Sequence, residues 1–325
     1  MKCKLMPLDE AHLDRMQALW NEELGQALPM RQRLLRQTVF EDENLLHEGS
    51  WAAEDPASGR LIGFVVAKHP GTRLAAYGIS SEHGWIHSLL VAQAARGRGI
   101  GGELLRRAEG VLAARGARRI QLGNDLYSRL APGLPAELEQ TRVWLERRGY
   151  AEEGTVYDMR RAYAADVEVA LPELGETQAT MRLATPQDRE AMTAFMARCF
   201  PGAWDYQHRA YWERGGTGRE YVVLEHGGEP IGFCRINDAD SPLLAQNIYW
   251  APLFEQPLGG IGPLGIDERY RGHRYGIKIV QAGIHFLLHR GCRAIVIDTT
   301  PFVDFYGKLG YETWRAYVRY AKAMA

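Results

Sequence analysis

A chain of 325 residues with 46% hydrophobic and 24% charged side chains holds enough apolar material for about two ordinary domains, and its composition is neither disordered nor fibrous. Its 39 basic and 40 acidic residues leave a net charge of -1, which argues against a nucleic-acid partner even though only 6 of the basic residues are Lys. No apolar run nears the ~20 residues that cross a bilayer and the start lacks a signal-peptide pattern, so a cytoplasmic protein without a membrane partner is expected. The cysteines Cys3, Cys199, Cys234 and Cys292 are scattered, and no His/Cys/Asp set has ligand spacing; no metal is expected.

In chain order, a short opening strand precedes a helix over Asp9 to Leu24, and an apolar strand covers Arg60 to Ala67. A central strand from Trp85 to Val91 leads through the turn Arg96 to Gly101 into a helix ending near Arg115. Along it Leu104, Leu105, Ala108, Val111 and Leu112 recur at helical spacing. The strand Arg119 to Leu122 follows. Pro132, Gly133 and Pro135 mark Asn124 to Glu139 as an inserted loop, either a cover over a site or a plain surface excursion. The Ala-, Glu- and Pro-rich stretch 166–179 reads as a linker between domains at 1–165 and 180–325. Beyond it come a helix over Asp188 to Cys199, strands over Tyr221 to Glu225 and Ile261 to Ile266, a helix from Tyr275 to about Arg290, and a strand over Ala294 to Asp298.

The second half repeats the first. Arg96-Gly-Arg-Gly-Ile-Gly101 lies over Arg271-Gly-His-Arg-Tyr-Gly276 at an offset of 271 − 96 = 175, and Gly116-Ala-Arg-Arg-Ile lies over Gly291-Cys-Arg-Ala-Ile at the same offset. Trp144-Leu-Glu-Arg-Arg-Gly-Tyr150 matches Phe305-Tyr-Gly-Lys-Leu-Gly-Tyr311 at 161, so the first copy carries 175 − 161 = 14 extra residues. The fold class is therefore α/β with α+β character: two tandem copies of a mainly antiparallel mixed sheet flanked by helices.

A strand that ends in a glycine-rich turn and runs straight into a helix gathers unpaired backbone N–H groups and the positive helix end around one point, which suits a pyrophosphate. Glycine avoids the Cβ that would block the anion, and arginines neutralise the remaining charge. No acidic residue follows ~20 positions later, which argues against a dinucleotide fold. The pattern Arg-x-x-Gly-x-Gly, with an aromatic-Tyr-x-x-x-Gly-Tyr element about 40 residues on, resembles the acyl-CoA N-acyltransferase superfamily, known as GNAT. The resemblance covers most of the chain, twice over.

That resemblance implies acetyl-CoA as cofactor, bound by Arg96, Gly97, Arg98, Gly99 and Gly101 with Leu89, Val91 and Asn124 in the first copy. In the second copy the matching residues are Arg271, Gly272, Arg274 and Gly276 with Leu264 and Ile266. It implies direct acetyl transfer to an amine, with Tyr306 as the acid for the leaving thiolate. The copies depart from the pattern in opposite ways. Leu145 stands where the family carries its tyrosine, and Arg274 stands where it carries a glycine, either touching a CoA phosphate or filling its place. The second copy is the expected catalytic one, with Asp298, or water linked to Asp238, as base. Trp204, Tyr206, Arg235, Asn237, Asp238 and Tyr249 form the expected acceptor side, able to stack on and bracket a polar ring such as an amino sugar or a peptidoglycan-like fragment. A monomer or homodimer acting on a small amine is expected; the rival reading is a non-catalytic CoA-binding or assembly protein with two degenerate lobes.

Overall fold

The computed structural model describes residues 3–175 and 178–324, which fall into two compact units. The first holds the chain up to Val156 and again from Ala316 onward, and the second is Tyr157–Arg315. This differs from a division at 1–165 and 180–325, because the end of each half's last strand pairs in the other unit. The segment 166–179 expected as a linker includes residues 176 and 177, which lie outside the described residues. Its Val167, Val169 and Leu174 pack on the second unit's core, and the Val169 carbonyl is 2.7 Å from His285 Nδ1.

The first unit contains β1 (Lys4–Pro7), α1 (Leu13–Leu24), α2 (Gln32–Thr38), β2 (Trp51–Glu54), β3 (Leu61–Lys68), β4 (His83–Val91), α3 (Ile100–Ala114), β5 (Arg119–Leu122), β6 (Leu134–Pro135) and α4 (Glu139–Glu146). β7 (Ala151–Ala162) passes into the second unit after Val156. α1 begins at Leu13 rather than Asp9 because the Asp9 carboxylate accepts the Ala11 N–H at 3.1 Å and caps a 3-10 turn first. Strands β1 to β4 pair antiparallel in order, and β4 pairs β5 in parallel. β3 is buried along its whole length, as a strand covered on both faces must be. α3 lays Ile100, Leu104, Leu105, Ala108 and Leu112 on the sheet; truncating Leu104 to Ala there would cost ~2–5 kcal/mol.

The second unit repeats this plan with β8 (Ala179–Leu183), α5 (Arg189–Cys199), α6 (Ala203–Glu213), β9 (Tyr221–His226), β10 (Glu229–Asn237), β11 (Leu258–Ile266), α7 (Tyr275–His289), β12 (Ala294–Thr300), α8 (Val303–Gly307) and β13 (Glu312–Ala323). β8 to β11 pair antiparallel, β11 pairs β12 in parallel, and β12 is flanked by residues 157–162 of β7. In the first unit the corresponding strand is supplied by β13, where residues 321–323 pair with β5. Cys234, Ile236, Ile261, Ile295 and Ile297 meet α7 on one face of the second sheet, while Phe233 meets Phe195, Tyr211 and Trp212 of α5 and α6 on the other.

Two irregularities recur in both units. Parallel pairing of β4 with β5 stops at Ile86–Leu122, and that of β11 with β12 stops at Ile261–Ile297, 175 residues later in each strand. Just beyond, both central strands bulge. Ala67 faces Ile86 and Val66 faces Ser88, leaving His87 extra; Ile236 faces Ile261 and Cys234 faces Leu264, leaving an extra residue beside Gly262. Strand divergence plus a bulge opens a wedge lined by backbone groups that the parallel neighbour no longer pairs.

Candidate active site

The wedge in each unit leads to the turn before α3 or α7. Gly97 (φ 75) and Gly99 (φ 80) take left-handed conformations, and so do their counterparts Gly272 (φ 90) and Arg274 (φ 59). Arg274 therefore adopts the turn that glycine makes in the first unit. Neither N-cap residue, Gly99 or Arg274, caps the 15-residue helix it precedes with its side chain, so neither supplies a side-chain acceptor to the first-turn N–H groups. A Cβ at Gly97, Gly99 or Gly272 would meet nothing within 4 Å, which leaves room for a phosphate to approach the backbone. At Gly101 and Gly276 a Cβ would come into ordinary contact, 3.5 Å from Val91 and 3.8 Å from Phe305 respectively. Uncapped helix ends, open glycines and half-buried Leu89, Val91, Leu264 and Ile266 on the diverging strands fit the pyrophosphate and arm of CoA.

At the divergence in the second unit stands Asp298, half-buried, with Oδ1 accepting from Asn247 Nδ2 at 3.0 Å and Oδ2 accepting from the Thr299 hydroxyl at 3.1 Å. Asn237 donates to Asn247 Oδ1 at 3.3 Å. Glycines keep this spot open. A Cβ on Gly260 would collide with the Asn247 amide, and one on Gly262 would lie 3.5 Å from Asp298 Oδ1 at a φ of +131° that L side chains avoid. Thr299 takes φ 51, as Asn124 does 175 residues earlier, and its N–H donates to Asp158 Oδ1 at 3.0 Å. A β-branched residue in that region is strained and needs such an anchor. Tyr306 on α8 is buried against Phe305 and Tyr311. Burial raises the phenol's pKa, and Cys234 and Asp298 push it the same way, so the hydroxyl stays protonated at neutral pH.

The first unit has a different occupant. Lys68 Nζ donates to Asp42 Oδ2 at 2.7 Å, to Asp125 Oδ1 at 2.8 Å and to the Ser128 carbonyl at 3.2 Å, and His87 Nδ1 lies 2.8 Å from Asp125 Oδ2. All four side chains are buried. Burial alone would lower Lys68, but Asp125 and Asp42 carry it above its ordinary value. His87 stays low through burial and the Lys68 charge, and Asp125 is held down despite burial by Lys68 and His87. Asp125, Ser128 and the buried Leu130 belong to the inserted loop, which thus packs over the wedge. The Asp298 position is Gly123 here, and buried Leu145 occupies the position of Tyr306.

The remaining sequence-predicted residues are distributed as follows. Arg96 donates to Glu23 at 2.7 Å and to the Val91 carbonyl at 2.9 Å, and Arg98 to the Ala94 carbonyl at 2.7 Å, so both brace the turn. Arg271 and Arg274 are exposed, Arg271 lying 3.9 Å from Glu268. The Asn124 N–H donates to the Ala131 carbonyl at 2.8 Å and closes the base of the inserted loop. Asp238 is bound by Arg219 at 2.8 Å and Arg290 at 3.1 Å, which makes it a structural ion triad rather than a base. Trp204 keeps 36% exposure beside Phe200 and Phe233, while Tyr206 and Tyr249 are buried. Asn237 and Arg235 share one face of β10. Lys68, Asp42 and Gly262 were missed by sequence reading: the first two are 26 residues apart without a motif, and a bulge leaves no mark beyond an extra glycine.

Among the described residues no helix is long and apolar enough to cross a membrane. Mycothiol acetyltransferase of Nocardia farcinica is 29% identical over 284 residues, covering 82% of this chain and 84% of that relative. The glucosamine N-acetyltransferase region of a fungal multi-domain GH3 β-N-acetylglucosaminidase is similar at TM-score 0.86 and 22% identity over 98% of this chain, which spans 38% of that longer protein. A GCN5-related N-acetyltransferase from Sphaerobacter thermophilus is similar at TM-score 0.70 and 17% identity, covering 99% of this chain and 95% of that one. At these identities the two structures bear on the fold alone. The model of the acetyltransferase (GNAT) family matches twice, over residues 13–130 and 189–311, so the chain belongs to that family and is an acyl-CoA N-acetyltransferase built from two tandem domains.

Proposed function

We propose that the second unit moves the acetyl group of acetyl-CoA directly to the primary amine of a small polar acceptor, an amino sugar or a related cell-wall fragment. The observation that carries this reading is the open bulge at Gly262, which leaves side-chain space beside Asp298 where the first unit is packed with His87, Asp125 and Lys68. Acetyl-CoA supplies the acetyl group as a thioester. Backbone N–H groups of the turn 271–276 take its pyrophosphate, Arg271 and Arg274 flank it, and the strand edge at Leu264 and Ile266 holds the arm. Asp298, oriented by Asn247 and Thr299, accepts the proton an ammonium must lose to become a nucleophile. Tyr306 holds its proton at neutral pH and hands it to the departing thiolate.

The acceptor class is supported by the partly exposed Trp204 ring and by the amide pair Asn237 and Asn247. The test is thiol release from acetyl-CoA across glucosamine, other amino sugars, aminoacyl compounds and simple amines, repeated with Asp298→Asn and Tyr306→Phe. Release with an amino sugar that both substitutions suppress supports the reading. No release with any amine, despite CoA binding, favours the non-catalytic alternative.

A further inference from the structure

On the face of β10 that carries Asn237, two residues before it, lies Arg235, only 8% exposed. Its Nε is enclosed and has no hydrogen-bond partner. Among the described residues no carboxylate stands within salt-bridge distance of its guanidinium: the nearby acids are engaged elsewhere, Glu220 with the Tyr211 hydroxyl and Arg219, and Asp238 with Arg219 and Arg290. The Arg235 guanidinium carbon is 5.5 Å from the centre of the Tyr211 ring, and Tyr221 is its cross-strand neighbour. His208, packed on Tyr221 at 5.1 Å, is held to about 3, first by burial and then by the Arg235 charge, and so stands neutral beside it.

A guanidinium cannot shed its proton, so a buried one without an anion is an uncompensated charge, costly until a carboxylate or phosphate completes the pair. Two further enclosed atoms lack partners nearby: His208 Nδ1 on α6, and Oδ1 of the fully buried Asn237. The amide of Asn237 is in turn linked through Asn247 to Asp298. A cation and a hydrogen-bond acceptor thus stand on the same sheet face as the proposed base.

Resting on the acetyl-transfer reading, we propose that the amine acceptor carries an anionic substituent, a carboxylate or a phosphate, which pairs with Arg235 while a hydroxyl or N–H of the acceptor donates to Asn237 Oδ1. The unpaired guanidinium then gains a charge-assisted bond that a neutral amino sugar does not offer.

Binding to the full chain separates this from the transfer reading. Titration calorimetry compares glucosamine with glucosamine 6-phosphate and with 2-amino-2-deoxyglucuronic acid, each in the presence of CoA and at two salt concentrations. The expected result is at least one anionic amine bound about tenfold or more tighter than glucosamine, with the advantage shrinking in salt and vanishing in Arg235→Gln. The arm that wins distinguishes phosphate from carboxylate. Equal binding of all three by the unaltered chain overturns the proposal, and so does a folded Arg235→Gln that keeps the preference. Should Arg235→Gln not fold, Arg235→Lys retains the charge and loses the fork, and it is expected to reduce the preference without abolishing it. Anion preference without thiol release would sink the transfer reading and leave this one standing; release from glucosamine with no anion preference would do the reverse.

Discussion

At the bulge of the first central strand stands His87, buried and bonded to Asp125; at the bulge of the second stands Gly262, with Asp298 3.5 Å from where a side chain would begin. The backbones are alike: strands diverge after Ile86 and Ile261, and the turns share left-handed residues at 97 and 99 and at 272 and 274. Duplication therefore preserved the part of the site made of main chain, and the halves came to differ in side chains. In the first unit a lysine, two aspartates and one nitrogen of an imidazole are bonded to one another under an inserted loop. In the second, a half-buried carboxylate is held by Asn247 and Thr299 beside Gly262, and a buried phenol packs on Phe305 and Tyr311.

The comparison breaks first at Tyr306. Tyr306→Phe is expected to cut kcat by about 10²–10⁴, the range for a removed general acid, with little change in KM for acetyl-CoA. Leu145→Tyr, its mirror in the first unit, is expected to add no turnover, because that unit also lacks a counterpart of Asp298 and is closed by Lys68. Steady-state thiol release on both variants decides; substantial transfer in Tyr306→Phe, or a gain from Leu145→Tyr in that background, would put the chemistry in the wrong unit.

Lys68→Met probes the opposite side. It leaves Asp42 and Asp125 buried against each other without their cation, and loss of one partner from such a cluster costs ~3–5 kcal/mol. Denaturant unfolding should show that loss in the first unit, while acetyl transfer by the second survives wherever the chain stays folded. A change under about 1 kcal/mol would mean the cluster is hydrated rather than packed.

Buried neutral histidines give a third contrast, now with pH. His208 is held to about 3 against an ordinary value of 6.5, so the unfolded chain takes up the proton first. Its contribution is complete above about pH 6.5 and declines as the pH falls toward 3, by up to ~1.4 kcal/mol per unit. His87 is shifted in the same direction. His208→Gln should flatten the acid limb of a stability–pH curve between pH 6.5 and 4 by about one proton. An unchanged slope would show that His208 is already charged in the fold.

How far the sequence reveals this depends on which atoms do the work. The 175-residue offset, the glycine turn and the amphipathic α3 and α7 were legible because local spacing encodes them, and the place of Tyr306 on a last helix was legible through its motif. The exchange of terminal strand segments between β7 and β13 was hidden, since two copies of one fold offer each strand equivalent partners. The Lys68, Asp42, Asp125 and His87 cluster was hidden for another reason: four residues from four segments meet only when the sheet is built. Asp238 looked available beside Asn237, yet its arginine partners come from positions 219 and 290, which no local pattern connects to it.

The smallest effect tests the one place where the two backbones agree despite different residues. Arg274 sits at φ 59, where glycine stands in the first unit and where a side chain costs ~1–2 kcal/mol, partly offset by the extra entropy glycine carries when unfolded. Arg274→Gly should therefore stabilise the chain by up to about 1 kcal/mol in chemical denaturation. If the exposed guanidinium assists the donor's phosphates, the same substitution should raise KM for acetyl-CoA by a few-fold and weaken its salt dependence, because an exposed ion pair contributes at most ~1 kcal/mol. A gain in stability with a loss of donor affinity is what a residue retained for charge rather than conformation must give. A lower KM would instead mean that Arg274 obstructs the turn, and the first unit's Gly99 would then mark the better cradle.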